Sequence, residues 1–143
     1  GCERILIVDW DVHHGNGTQD IFWADPDVLF FDTHCAAPFY PGSGNLEEVG
    51  AGLGEGYTVN VPLPEASGDI AMEKAFRDIL IPAADRFAPE LVLEGGYNLT
   101  SLARGVHTML TVLAGGEVPE LMACGLREVM EAAEFHRDAF EEE

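Results

Sequence analysis

Asp9, Asp11 and His13 stand two residues apart where the apolar run Leu6-Ile7-Val8 gives way to polar residues. While extended geometry persists, alternate side chains point to one side, so two carboxylates and an imidazole converge. Carboxylates this close raise each other's pKa unless a cation lies between them. Oxygen and nitrogen donors without a thiolate suit Zn2+ or a similar divalent ion, so a metal site is the economical reading. In the structural alternative, Asp9 and Asp11 cap the next turn and His13 is solvated. Phosphoryl transfer also uses a strand ending in D-x-D, but it wants Thr or Val where His13 stands and a later phosphate-clamping lysine. The single lysine here is Lys74, in the middle of a helical pattern.

Gly95-Gly96-Tyr97-Asn98 sets a phenol in a turn whose glycines let the backbone approach a ligand. Tyr97 there can donate a hydrogen bond to a carbonyl oxygen that gains charge, or simply pack. Phe39-Tyr40-Pro41-Gly42-Ser43-Gly44 places aromatics beside a tight turn, either as the wall of a narrow apolar channel or as a cover for the core. His34, near the same strand ends, is a spare ligand or base, or a hydrogen-bonding strand terminus. His107 and His136 read as structural or solvated.

Strands and helices must position these residues. Arg4 to Trp10 has the near-continuous β-branched character of a strand buried on both faces of a parallel sheet. Thr18 is a candidate cap for a short helix from Gln19 to Ala24, and Val28 to Phe31 reads as a second strand. The glycine- and proline-dense stretch from Cys35 to Gly56 reads as a long irregular loop, and Tyr57 to Leu63 as a third strand. Ser67-Gly68-Asp69 opens an amphipathic helix carrying Met72, Phe76, Ile79, Leu80, Ala83 and Phe87, with a kink expected at Pro82. Leu91-Val92-Leu93 is a fourth strand. Leu102 to Leu113 is a further helix ended by Gly115-Gly116, and 118–143 is an acidic terminal helix. Alternating strands and helices predict an α/β domain, its sheet largely parallel and its helices on both faces, with chemistry at the carboxyl ends of the strands.

At 143 residues, with 47% hydrophobic and 23% charged, the chain suits one globular domain. Its formal charge of −19 repels nucleic-acid backbones and anionic membranes, and favours a cationic partner such as a lysine-bearing peptide, a polyamine or a metal ion. Three cysteines without C-x-x-C spacing argue against a disulfide framework or zinc knuckle. They suit a reducing cytoplasm, and no apolar stretch reaches the roughly 18 residues of a membrane span.

Asp9-Trp10-Asp11-Val12-His13-His14-Gly15-Asn16-Gly17-Thr18, the turn from Phe39 to Gly44, Tyr57-Thr58-Val59-Asn60-Val61-Pro62 and Glu94-Gly95-Gly96-Tyr97-Asn98 occur in that order. Together they resemble the zinc-dependent histone deacetylase and acetylpolyamine amidohydrolase family, over about residues 4–116. The resemblance implies a shortened arginase-like fold and hydrolysis of acyl-lysine or acyl-amine amides, or of acyl esters, through a metal-bound water. It implies Asp11 and His13 as two of three zinc ligands and Tyr97 as the carbonyl polariser, with Phe39, Tyr40 and Gly96 along the substrate channel. It further implies a monovalent-cation site for K+ at Asp9, with backbone or side chains of Asp11, His13, Asp32 and Thr33, and a second near Phe22, Asp25, Val28 and Tyr57.

Two family segments have no counterpart here. The tandem histidines that serve as base and acid should precede the first strand, where this chain has Gly1-Cys2-Glu3, so a shortened and internally deleted member is expected. The sole His-His pair is His13-His14, which makes His14 the remaining catalytic candidate. The aspartate ligand that follows S-A-G-F is likewise missing between Leu93 and Glu94. His34, Asp32, Glu94 or a second subunit are the candidates to complete the metal site. Exposed sheet edges would favour a homo-oligomer. A non-catalytic module that keeps half the site is the alternative.

Overall fold

The computed structural model describes residues 1–95 and 132–136. Four strands, β1 (Ile5–Asp9), β2 (Val28–Cys35), β3 (Thr58–Leu63) and β4 (Leu91–Gly95), form a parallel sheet in the order β3-β2-β1-β4. The α/β reading with a parallel sheet therefore holds. Helix α1 (Asn16–Phe22) joins β1 to β2. A helical rod of α2 (Asp69–Ala75), a π-helical turn (Phe76–Leu80) and α3 (Ile81–Phe87) joins β3 to β4.

Pleating divides the sheet chemically. Leu6, Val8, Leu29, Phe31, Val59, Val61 and Leu63 pack with Ala71, Ala75, Phe76, Ile79 and Leu80 of the rod, and Phe76 bridges the layers through Phe31 and Trp10, with ring centroids 6.0 and 5.9 Å away. Alternate residues face the other way. There the Gly15 amide and Gln19 of α1 meet Asp32 and Asn60, so helices cover both faces.

Register then brings polar residues into one row. Asp9 lies beside Asp32 on one side and Gly95 on the other, and Asp32 lies beside Asn60. The chain builds outward from β1 to β2 and β3, then returns to place β4 on the opposite flank. The crevice at such a reversal is where open α/β sheets bind ligands, and it opens at the end of β1.

Three local expectations are corrected. Helix α1 starts at Asn16, with Gly15 at the cap position and no side-chain cap, so Thr18 lies inside it. Strand β2 continues through Asp32-Thr33-His34 to Cys35, because β3 pairs with it that far and its polar side chains are buried. Pro82 lies in the first turn of α3 after the π-helical turn; the wider turn absorbs the i−4 clash that a proline imposes on an α-helix. The expected loop from Cys35 to Gly56 holds, with one short 3-10 turn at Gly52–Gly54. The helix expected over Leu102 to Leu113 lies outside the described residues, as does most of the acidic segment. Of the latter, residues 132–136 are helical, with Ala132 and His136 buried.

Candidate functional site

Beyond β1 the chain bends sharply, and each bend is held by an aspartate accepting an amide two residues on. The Asp11 N–H donates to Asp9 Oδ1 at 3.0 Å, and the His13 N–H donates to Asp11 Oδ1 at 2.9 Å. This is the Asx-turn chemistry of short acidic side chains. It sets Asp11 Oδ1 3.0 Å from His13 Nδ1, with the His13 side chain 50% and that of Asp11 22% exposed. Two donors on a tetrahedral zinc with bonds of about 2.0–2.1 Å stand roughly 3.3 Å apart, so the pair fits a shared divalent ion with little movement. Among the described residues no group of three or more metal-ligating side chains forms. His34 is committed elsewhere: Nδ1 lies 2.8 Å from Asp32 Oδ1, and Nε2 donates to the Gly44 carbonyl at 2.9 Å. Neither it nor Asp32 is placed to complete the pair.

Asp9 and Asp32 form a second acidic centre beneath the first. The Gly15 N–H donates to Asp32 Oδ2 at 2.7 Å, and a Cβ on Gly15 would sit 2.9 Å from Asp9 Oδ2 and 3.0 Å from Asp32 Oδ2. Only glycine fits that cradle. Burial pushes the Asp9 carboxyl above its usual range, and the charges of Asp32 and Asp11 add to this against the Asp11 N–H and His14, which oppose it. Thr33 Oγ1 is buried with no protein hydrogen-bond partner among the described residues. The crowded Asp9 and Asp32 carboxylates suit a cation of low charge, whereas Thr33, next to Asp32 in β2, alternates to the apolar face with Phe31 and Val61. Phe22 and Tyr57, expected at a second cation site, are both half-buried, and Tyr57 packs edge-on against Phe87 at 5.8 Å.

The aromatic turn reaches the Asp11–His13 loop. The rings of Phe39 and Tyr40 have centroids 5.2 and 6.1 Å from that of His13, and Tyr40 is 76% exposed. His14 points the opposite way and is buried. Its Nδ1 lies 2.8 Å from Ser43 Oγ and its Nε2 lies 3.1 Å from Gln19 Oε1. Gly44 lies against it with φ of +86°, and a Cβ there would collide with the His34 and His14 rings.

Gln19, Ser43, Glu48 and Asn60 are polar participants that inspection of the sequence passed over. One signal was available for Glu48: Asn45 and Glu48 have the N-x-x-E spacing of a capping box, and Glu48 accepts both the backbone and side-chain N–H groups of Asn45. Gly96 and Tyr97 lie outside the described residues, two positions or fewer beyond Gly95, whose backbone pairs with Asp9. The side chain of Glu94 is likewise not described.

The parallel sheet with an acidic, histidine-bearing loop at its chain reversal defines an α/β fold with a candidate site at the carboxyl end of β1. The histidine-and-aspartate pattern matches the family model "Histone deacetylase domain" over residues 1–93, and the chain belongs to that family. It is 52% identical over 99 residues to "Histone deacetylase 14, chloroplastic" of Arabidopsis thaliana, covering 68% of this chain and 23% of that protein. It is 51% identical over 92 residues to "Probable deacetylase" of Archaeoglobus fulgidus, covering 64% and 25%. Similarity to human "Histone deacetylase 7" is 44% over 138 residues, covering 82% and 14%. The chain thus spans about a quarter or less of these relatives' lengths. Among solved structures, the HDA15 HD domain superposes with a TM-score of 0.76 at 31% identity, over 98% of this chain and 52% of that one.

Proposed function

We propose that this chain carries part of the active site of a metal-dependent acyl hydrolase acting on acyl-lysine or acyl-amine amides, or on acyl esters. The observation that carries the reading is the Asp11–His13 donor pair, walled by Phe39 and Tyr40 at the sheet's chain reversal. Zn2+ or a similar ion bound there would supply an acidified water and a Lewis acid for the acyl carbonyl. Asp9 orients Asp11 through its N–H. Phe39 and Tyr40 take the acyl chain and exclude water, with Gly96 beside them, and Tyr97 donates a hydrogen bond to the acyl oxygen. Asp9 and Asp32, with the backbone of Thr33, hold K+ beneath the divalent ion, and Phe22 with Tyr57 frames a second monovalent site. His14, with both ring nitrogens engaged, supports the loop from below.

A cationic acylated amine or acyl-lysine peptide suits a chain with a formal charge of −19. The free thiols of Cys2 and Cys35 suit a reducing compartment such as the cytoplasm. Among the described residues no helix is long and apolar enough to cross a membrane.

Metal quantification on the purified chain tests the reading. About one divalent ion per chain, lost in Asp11→Ala and in His13→Ala, supports it. No metal in the unaltered chain would leave a non-catalytic interaction module that keeps the fold.

A further inference from the structure

We propose that Glu48 is a positioning residue that locks the aromatic turn at 39–45 against the metal-binding loop through Gln19 and His14. The functional meaning rests on reading Phe39 and Tyr40 as the channel wall; the lock itself is read from hydrogen bonds.

Glu48 gathers donors from two directions. Its Oε1 accepts the Gly44 N–H at 3.0 Å, the Asn45 N–H at 2.9 Å and the Asn45 side-chain N–H at 2.9 Å. Its Oε2 accepts from Gln19 Nε2 at 2.7 Å. A carboxylate offers acceptors only, so the Gln19 amide must present its nitrogen to Glu48 and its oxygen to the interior. That oxygen receives Asn60 Nδ2 at 2.8 Å and faces His14 Nε2 at 3.1 Å. Asn60 cannot reverse, because its nitrogen also donates to the Glu48 backbone carbonyl at 2.9 Å.

The direction of every bond follows. His14 Nε2 carries the proton, so in the neutral ring Nδ1 accepts from the Ser43 hydroxyl. Donation therefore runs from Ser43 to His14, from His14 to Gln19 and from Gln19 to Glu48. One end of this relay lies in the aromatic turn, and its middle lies on the residue next to His13. Gln19 and His14 are buried, where a reversed amide would oppose donor to donor and an unmade hydrogen bond costs most. The favourable donors around Glu48 outweigh its partial burial and hold its carboxyl below the usual range, in keeping with a fixed acceptor.

Glu48→Gln is isosteric but turns a donor toward Gln19 Nε2. The expected result, on the 143-residue chain labelled with 15N-histidine, is transfer of the His14 proton from Nε2 to Nδ1. The ring-current shift of Phe39 on the His13 ring protons should shrink by roughly half, and Tm should fall by about 3–6 °C. The exchanged pair Gln19→Glu with Glu48→Gln restores acceptors facing His14 and Asn60, and donors facing residue 48's former partner. It should return the Nε2 proton, the His13 shifts and most of the lost Tm. If Glu48→Gln does not fold, a folded exchanged pair with the Nε2 proton supports the lock. Failure of both to fold overturns it, as does an unchanged His14 tautomer in Glu48→Gln or an exchanged pair no nearer to wild type than the single variant. These signals are read without turnover or bound metal, so they stand apart from the metal test of the hydrolase reading.

Discussion

Asp9 and Asp11 each hold a turn at the end of β1 by accepting an amide two residues on, as the structural alternative for this segment expects. D-x-D-x-H projects alternate side chains together in an extended chain, but two successive Asx turns bend it, so that Asp11 meets His13 at 3.0 Å while Asp9 turns toward Asp32. Burial of Asp9, with the neighbouring Asp32 and Asp11 charges adding to it, raises its carboxyl above the usual range. A folded pKa above the ordinary 3.8 means stability present below that value and lost as pH rises through the raised one. Asp9→Asn keeps the acceptor for the Asp11 N–H and removes a charge. In cation-free buffer at neutral pH its Tm should rise by about 2–4 °C, and the proposed K+ site predicts that added K+ raises the Tm of wild type and not of Asp9→Asn, both measured by calorimetry. His136 behaves in the opposite sense. Burial lowers its pKa against the hydrogen bond to the Asn60 carbonyl, which raises it. The stability it contributes is full above 6.5 and is lost as pH falls through the lowered value. His136→Gln should therefore flatten the melting profile just below pH 6.5, and an unchanged slope there would count against a buried neutral ring. Sequence inspection left His136 between structural and solvated, since a terminal acidic segment carries no sign of which turn is covered.

Strand β1 and the helical rod were legible because their periods differ: a β-branched run for a strand buried on both faces, and apolar residues at helical spacing from Met72 to Phe87. Boundaries were less legible. The polar half of β2 resembles loop sequence until β3 supplies its backbone partners, Gly15 donates to Asp32, and Asp32 and the Gly44 carbonyl engage His34. The π-helical turn was illegible as well, because one inserted residue leaves the apolar stripe almost unchanged. Within that turn, Phe76 is almost fully buried and touches both Phe31 and Trp10. Phe76→Ala should cost about 3–5 kcal/mol in denaturant unfolding, with the loss felt at Trp10 and hence at the start of the Asp11–His13 loop.

Charge and edge exposure govern the molecule as a whole. Among the described residues β4 borders the sheet, and Leu91, Val92 and Leu93 are 40%, 41% and 46% exposed. Consecutive apolar residues open on both faces of a border strand favour self-association, while a formal charge of −19 opposes it until salt screens the repulsion. Light scattering should show mass rising from monomer toward dimer as salt increases, and Val92→Lys should suppress the rise. The 143 residues hold no His-His pair besides His13-His14, and in hydrolysis by these residues alone amides suffer most, because their amine must be protonated to leave and general acid–base help is worth roughly 10²–10⁴-fold. Any turnover should favour nitrophenyl acetate over an acetyl-lysine peptide; faster amide cleavage would reverse that ordering. By itself the sequence determined the α/β architecture, the family to which the D-x-D-x-H-H-G string points, and the acidic character, because each follows from local pattern or composition. Only tertiary structure decided that His14 and His34 face inward and that Glu48 accepts from both the aromatic turn and Gln19. Their partners Gln19, Ser43, Gly44, Asp32 and Asn60 lie on separate segments, and hydrogen-bond direction exists only once those segments meet.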